Sequence, residues 1–493
     1  MQNSIPNTNI YRKFLLFAIT VGSSSIAYYL SLSDKNIWLL LWIAPLPICI
    51  YALKHSLPSS IAASLAVSTI SNSAMILFSP LPPVVIKLLL IGVLPQAITY
   101  SVVLVIYRYI ALHYKHWSCS LVFAAGITAF EFVSSLFSRG GSIGSIAYSQ
   151  TSNLPVIQIA SITGIWAITF LLSIVPAGAA LAIHYHRKKY LKAKCALFPL
   201  GLLLLIIGFG LYSLFKPVND PAVEIGIAAE PITLDQYMSV ASNKDPQQVS
   251  DLIQRYTEDI EELLQSGAKI VLLPEKTFTI SDQYDFLNRF ADMAKRNNIY
   301  LIIGMSNKVG ETFYNSAFIF SPNGELLQKY NKQHLLPPLE NKYTPGTGLS
   351  IIDTDIYGKL GIEICKDMDF SHPALNYSQE GTGLLFVPAL DFHYDRWTHG
   401  RVAVMRGVEG NYSVARAGQW GMLTLSDNYG RIINIKSTNS ANEATLLRGS
   451  LIPGKGSSIY SRFGDWFGWL CIILFVGSIF LCFSKFKRNK MNK

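Results

Sequence analysis

Three side chains in the stretch between residues 222 and 450 could together transfer an acyl group: the carboxylate of Glu275, the ammonium of Lys332 and the thiol of Cys365. An ionised thiol is a strong nucleophile, a carboxylate can take up and return its proton, and an ammonium can balance the charge that develops on an attacked carbonyl. Cys365 is the only cysteine of that stretch; Cys49, Cys119, Cys195, Cys471 and Cys482 lie in or beside strongly apolar segments. With no partner in its own region it is outside any disulfide framework, which leaves inert packing or reactivity. Taken singly, Cys365 reads as a core thiol, Glu275 as a cap or surface carboxylate and Lys332 as a solvated loop lysine. Their order and context carry the functional reading.

Each of the three stands where a strand is expected to end. Glu275 follows Ile270-Val271-Leu272-Leu273-Pro274, Lys332 lies just beyond another strand, and Cys365 closes Lys359-Leu360-Gly361-Ile362-Glu363-Ile364 before the polar Lys366-Asp367. A cation beside the thiol is expected to lower its pKa from about 8.5 toward neutrality. The spacing predicts strands over 223–229, 268–273, 299–305, 312–320, 360–364, 383–387, 413–417 and 421–425, with amphipathic helices over 246–266, 282–297 and 395–409. That alternation suits one α/β domain over 222–450 with sheets buried between helices.

The flanks belong to a membrane. The 493-residue chain is 50% hydrophobic and 15% charged, with a mean hydropathy of +0.32, too apolar for an ordinary soluble protein. Eight spans are expected near 11–31, 37–53, 58–79, 84–110, 118–138, 157–183, 196–215 and 464–484. The first lacks a cleavage site and is followed by further spans, so it is not read as a signal peptide. Lys and Arg gather at Arg12-Lys13, Lys54, Arg108 to Lys115, Arg187 to Lys194 and Lys485 to Lys493, whereas the alternate loops carry only Lys35 and Arg139. By the positive-inside rule both ends are cytoplasmic and the 222–450 domain is outside. The net charge of +10 is largely this signal, and nucleic-acid binding is not needed to explain it.

Five blocks in order carry a family resemblance: Leu272-Leu273-Pro274-Glu275, Tyr314-Asn315-Ser316, Ser321-Pro322-Asn323-Gly324, Tyr330-Asn331-Lys332-Gln333-His334-Leu335 and Ile362-Glu363-Ile364-Cys365-Lys366-Asp367. They resemble the nitrilase (carbon–nitrogen hydrolase) superfamily, which implies an αββα sandwich and a Glu275, Lys332, Cys365 triad. The placement of such a domain between seven spans and an eighth is similar to the apolipoprotein N-acyltransferase family. Glu131, Gly144, Tyr148-Ser149-Gln150, Pro155, Gln158 and Gly164 extend that resemblance into the membrane part, and Glu340, Arg406 and Glu409 match further family positions. The sequence departs from the family pattern at Lys366-Asp367 (Tyr-Glu expected), at Pro338-Leu339 (Phe-Gly) and at Pro388-Ala389-Leu390-Asp391-Phe392 (Asn-Asp-x-Trp-Phe), and the interval between Lys332 and Cys365 is short.

The resulting expectation is an α+β membrane protein of eight transmembrane helices, with an αββα nitrilase-like domain inserted between helices seven and eight. Its domains are a bundle over 1–215, the catalytic domain over 222–450 and a final helix over 464–484 with a basic tail. The resemblance implies a phospholipid acyl donor, a Cys365 thioester and a lipoprotein N-terminal amine as acceptor. Glu275, Lys332 and Cys365 act as catalytic residues, and Glu340, Asp367, Arg406 and Glu409 support them. No cofactor, metal or nucleic acid enters, and the protein is expected to be a monomer of the inner membrane with its catalytic domain on the extracytoplasmic side. The rival readings are a membrane-tethered amidase or nitrilase, in which water replaces the amine, and an inactive scaffold.

Remaining features were weighed by the same physics. Tyr460, Phe463, Trp466, Phe467 and Trp469 are expected to form an interfacial belt, and Phe392, His393, Tyr394 and Trp397, with 341–349, a shield over the site. Glu131, a charge inside an apolar span, is expected to face a cavity, to pair with a neighbour such as Arg139, or to be hydrated at the interface. The pairs His113/His116 and His184/His186 read as a basic rim, because they lack metal-ligand companions. Gly140-Gly141-Ser142-Ile143-Gly144 lies outside the strand-to-helix context that a phosphate loop requires.

Overall fold

The computed structural model describes residues 8–78, 83–217, 220–241, 245–280, 286–391, 397–438 and 442–491. Among them six helices are long and apolar enough to cross a bilayer: Ile10–Leu32, Leu57–Leu77, Leu89–Tyr114, Cys119–Phe137, Trp166–His184 and Lys189–Leu214. The segment expected to be a second span is instead broken into a tight turn of helix over Trp38–Trp42 and a helix over Leu46–Lys54. Pro45 and Pro47 lie at the break, where each removes a backbone donor. The sixth span starts later than expected, at Trp166, because Gly164 takes a left-handed φ of 65° and separates it from the short turns Leu154–Ile157 and Ala160–Thr163. The last helix, Trp466–Met491, has a shorter apolar portion over Trp466–Cys482.

The region after these helices folds as two stacked sheets. The first takes the order β13-β1-β2-β4-β5-β6 from β1 (Val223–Ala229), β2 (Ile270–Leu272), β4 (Tyr300–Val309), β5 (Thr312–Phe320), β6 (Leu326–Asn331) and β13 (Thr445–Leu451), with β3 (Phe278–Ile280) also beside β4. The second runs β12-β11-β10-β9-β8-β7 from β7 (Ile351–Thr354), β8 (Gly358–Ile362), β9 (Leu384–Leu390), β10 (Ser413–Gln419), β11 (Met422–Ser426) and β12 (Ile432–Ser437). The central strands of both sheets, β1, β2 and β4 in one and β8, β9 and β10 in the other, are parallel. Parallel strands are covered on both faces, which is why these read as unbroken apolar runs.

Between the sheets lies a core of Ile225, Ile227, Leu272, Ile302, Ile362, Phe386 and Ala415, all almost fully buried. Helices Pro246–Gln265 and Phe286–Asn297 cover the first sheet, packing Leu252, Tyr256, Ile260 and Phe290 against Val271, Leu301 and Ile303. Helices Ala374–Gln379 and Thr398–Gly410 cover the second. The four layers make the αββα sandwich that the resemblance implied.

The second helical layer continues without a gap into the membrane helices. Tyr377, Leu385, Val387, Val402, Met405 and Tyr412 belong to the same buried cluster as Ala124, Phe132, Trp166, Ile168 and Leu171. Polar bonds reinforce the seam: Gln158 Nε2 donates to the Tyr429 carbonyl at 2.8 Å and Ile165 N to Glu409 Oε1 at 3.0 Å. Trp166 Nε1 meets Asp465 Oδ1 at 2.6 Å and Arg401 meets Asn36 at 3.0 Å. Tyr460, expected in an interfacial belt, is buried in this seam instead, with its hydroxyl on Asp465 at 2.6 Å and its ring against Gly164. Phe463, Trp466 and Trp469 are exposed.

Phe386 stands at the centre of the sheet-to-sheet core and is fully buried. Phe386→Ala is expected to cost about 3–5 kcal/mol of stability, from lost transfer energy and the cavity left behind. Thermal unfolding in detergent checks it.

Candidate active site

The site forms where the carboxyl ends of β2, β6 and β8 meet. Glu275 follows β2, Lys332 follows β6 by one residue, and Cys365 begins a tight turn of helix, Cys365–Asp369, just after β8. Two of these turns use backbone that side chains other than glycine seldom adopt: φ is 47° at Cys365 and 53° at Lys276, next to Glu275. Such residues cost about 1–3 kcal/mol each and persist where their surroundings hold them.

Their surroundings are a buried lattice of four charges. Lys332 Nζ lies 2.9 Å from Glu275 Oε1 and 3.0 Å from Glu340 Oε2, and Lys276 Nζ lies 2.9 Å from Glu340 Oε1 and 3.7 Å from Glu275. Asn315, on β5, ties both carboxylates with its amide, at 2.6 Å to Glu275 and 2.7 Å to Glu340. Leu336 N adds a bond to Glu340 Oε2 at 2.9 Å. Glu275, Lys332 and Glu340 are each at most 3% exposed, so the charges can stay ionised only by meeting one another. Burial raises the Glu275 pKa, but the Lys332 and Lys276 ammoniums outweigh it and hold the carboxyl below its ordinary range. By the same balance Glu340 is lowered to about 2, and the two carboxylates keep Lys332 protonated against the effect of burial.

Leu390 couples this lattice to the thiol. Its N–H donates to Glu275 Oε2 at 2.8 Å, and its carbonyl lies 3.9 Å from Cys365 Sγ. The next residue, Asp391, is gripped by Arg416 at 2.7 Å, which anchors the end of β9. The expectation of a thiol pKa lowered by a neighbouring cation is overturned: burial first, then the Glu275 carboxylate, push Cys365 well above its ordinary value, and Lys332 only partly offsets them. Lys332 already faces two carboxylates, so little of its positive charge is left to hold a thiolate. The arrangement therefore keeps Cys365 as a thiol beside an ionised Glu275 carboxylate.

The supporting residues fall into two groups. Asp367 holds the Lys332 loop, accepting from Tyr330 Oη at 2.8 Å, Gln333 N at 3.1 Å and His334 N at 2.7 Å. Arg406 and Glu409 touch neither Glu275 nor Lys332; they pair with each other beneath the Cys365 turn. Arg406 Nε donates to the Met368 carbonyl at 2.9 Å, and its Nη2 to Ser142 Oγ at 2.8 Å in the loop that leaves helix Cys119–Phe137. Ser142 N in turn donates to the Asp369 carbonyl at 2.8 Å, and a Cβ on Gly141, whose φ is 55°, would lie 2.3 Å from that oxygen. Glu131 bonds Ser145 Oγ at 2.7 Å, Thr169 Oγ1 at 2.8 Å and Ile146 N at 3.2 Å, and so braces the same loop.

Segment 341–349 lies along the strands, with Thr344 N on the Phe313 carbonyl and Gly346 N on that of Lys332, both at 2.8 Å. Phe392, His393 and Tyr394 of the expected shield lie outside the described residues.

Sequence reasoning did not assign site roles to Lys276, Asn315, Leu390 or Glu363. Lys276 adjoins Glu275 and Asn315 stands in a quoted block, which were the available signals. Glu363 also stands in a quoted block, but nothing in the sequence marks its state: it is fully buried, neither carboxyl oxygen has a hydrogen-bond partner among the described residues, and burial followed by the Asp367 charge raises its pKa well above the ordinary value.

A carbon–nitrogen hydrolase family model matches residues 236–465, and the model for the apolipoprotein N-acyltransferase N-terminal domain matches 24–178. The chain is apolipoprotein N-acyltransferase-like, of the nitrilase superfamily. It is 25% identical over 380 residues to an apolipoprotein N-acyltransferase of Geobacter metallireducens, an alignment covering 71% of this chain and 70% of that one. It is 27% identical over 408 residues to that of Thermotoga maritima, covering 75% and 72%. An omega-amidase of Mus musculus is 29% identical over 230 residues, covering 40% of this chain and 82% of the relative. The acyltransferase alignments, at 71% and 75% of the chain, are longer than the 236–465 match and reach beyond it, whereas the amidase alignment covers 40%.

Glu363 yields a pH test. Its unfolded pKa is about 4.3, and above that pH the folded protein keeps a proton the unfolded chain has released, so stability falls as pH rises toward the raised folded value. Glu363→Gln is neutral at every pH and should remove that slope. Melting curves should show the variant gaining more over the parent at about pH 8 than at about pH 5.

Proposed function

We propose that this protein moves a fatty acyl group from a membrane phospholipid, through a thioester on Cys365, to the N-terminal amine of a lipoprotein. The observation that carries the reading is the continuous core joining the Cys365 side of the sandwich to the membrane helices, which suits a substrate that arrives from the bilayer. Glu275 accepts the proton of Cys365 Sγ as the sulfur attacks the ester carbonyl, and the Lys332 ammonium faces the negative charge that develops. The lysophospholipid alcohol leaves with the proton returned by Glu275. The acceptor amine then attacks the thioester and passes a proton to Glu275, which returns it to the departing sulfur. Because the thiol is held neutral and the carboxylate ionised, proton transfer and carbon–sulfur bond formation proceed together, with no resting thiolate.

The wider arrangement belongs to the same proposal. A bundle over 1–215, a catalytic domain over 222–450 and a final helix over 464–484 form eight membrane passes, the broken segment at 38–54 counting as one. The loop charges support an extracytoplasmic catalytic domain in the inner membrane, and the protein acts as a monomer.

Incubation of the full-length protein with labelled phospholipid should give a hydroxylamine-sensitive adduct. Cys365→Ala should abolish it, and Glu275→Gln should slow its formation by about 10²–10⁴-fold. Label persisting on the alanine variant, or fatty acid released to water with none passed to a diacylglyceryl-cysteine peptide, would remove the acyltransfer reading. A reporter active only outside the cytoplasm should be on when fused after Asn219 and off when fused after Lys493; the reverse would place Cys365 in the cytosol.

A further inference from the structure

The loops expected to face outward carry almost no Lys or Arg, and Arg139 is one of the two exceptions. A cation retained where the topology signal disfavours it calls for a local reason. Arg139 is exposed just beyond helix Cys119–Phe137, and its guanidinium has no ion pair among the described residues. Against the main chain of Arg139 lies Lys366, the residue after Cys365, whose ammonium donates to the Arg139 carbonyl. Unlike Lys332 and Lys276, Lys366 has no carboxylate within ion-pair distance among the described residues. Of its neighbours, Asp367 is taken up by the Tyr330–His334 loop and Asp369 by His399 at 3.0 Å. Its ammonium lies 5.0 Å from the Phe370 ring centre, and His334 stacks on that ring at 3.8 Å. Lys366 is only 8% exposed, and burial pulls its pKa down, so an anion would recover charge stabilisation that the protein leaves unmet.

We propose that Lys366 and Arg139 seat the phosphate of the acyl-donor phospholipid while its ester lies at Cys365. This assignment rests on the acyltransfer reading and names the donor's recognised group. Consecutive Cα atoms are about 3.8 Å apart, so Lys366 is tied to the nucleophile by one peptide bond. In a glycerophospholipid only the glycerol carbons and ester oxygens separate the phosphate from the acyl carbonyl. A phosphate fixed between one cation of the catalytic domain and one of the membrane loop would therefore set which carbonyl the sulfur meets. Neither cation takes part in proton transfer; both position the donor.

The test compares two donors on the full-length protein in detergent micelles, with acylation of Cys365 followed by intact mass. One is phosphatidylglycerol; the other is the p-nitrophenyl ester of the same fatty acid, which has no phosphate. Lys366→Gln and Arg139→Gln should each slow acylation by phosphatidylglycerol by roughly tenfold to a hundredfold, the range for a hydrogen bond to a charged group. Acylation by the p-nitrophenyl ester should keep the parent rate, and Lys366→Arg should restore most of the phospholipid rate. Equal losses with both donors would show that Lys366 only braces the Cys365 turn, and unchanged phospholipid rates would show that no phosphate is held there; either result overturns the seat. A parent protein acylated by the p-nitrophenyl ester but never by phospholipid would instead overturn the donor reading itself, and the seat with it.

Discussion

The structure turns on the requirement that four buried charges neutralise one another. Glu275 and Lys276 come from one turn, Lys332 and Glu340 from the chain after β6, and none could remain ionised at its depth without the others. That requirement fixes where β2 and β6 must end, and Asn315 brings β5 into the same arrangement. It also explains the state of Cys365. With two ammoniums balanced by two carboxylates, the lattice has no surplus positive charge, so the thiol next to it keeps its proton.

A second constraint acts on the Cys365 turn from the opposite side. Arg406 and Ser142 hold the carbonyls of Met368 and Asp369, and Ser142 belongs to the membrane part of the chain. Glu275 and Lys332 are therefore positioned by the sandwich, whereas Cys365 is positioned jointly by the sandwich and the membrane loop. A displacement of that loop moves the sulfur relative to Glu275 without altering the charge lattice.

What could be read from the sequence follows the physics of burial. Strands covered on both faces, such as β1 and β10, announce themselves as apolar runs; β6, with Gln328, Lys329 and Asn331, and β12, with Asn434 and Lys436, are edge strands whose polar composition hides them. The site's order was legible because Glu275, Lys332 and Cys365 sit in recognisable blocks. The sign of the thiol's pKa shift was not, since it depends on how many carboxylates share Lys332. The docking role of Arg406 was hidden for a related reason: its partners include main-chain carbonyls, which leave no mark on composition. Glu363 lies just past the end of β8, and only its surroundings reveal a buried carboxyl with no hydrogen-bond partner among the described residues.

The core shared by the sandwich and the membrane helices bears on how the chain is made. The helices up to Leu214 leave the ribosome before the sandwich that covers their outward apolar side chains, and the last helix follows only after both. That last helix fits closely: Gly126 lies against Phe475, and Gly468 against Phe132, too near for any added Cβ. Its slot thus stays open until the chain beyond the sandwich is made, and closing it completes the packing against helices Cys119–Phe137 and Leu89–Tyr114. Truncation before Trp466 would be expected to leave a translated but unsealed protein, recognisable to quality-control proteases by the groove along helix Cys119–Phe137.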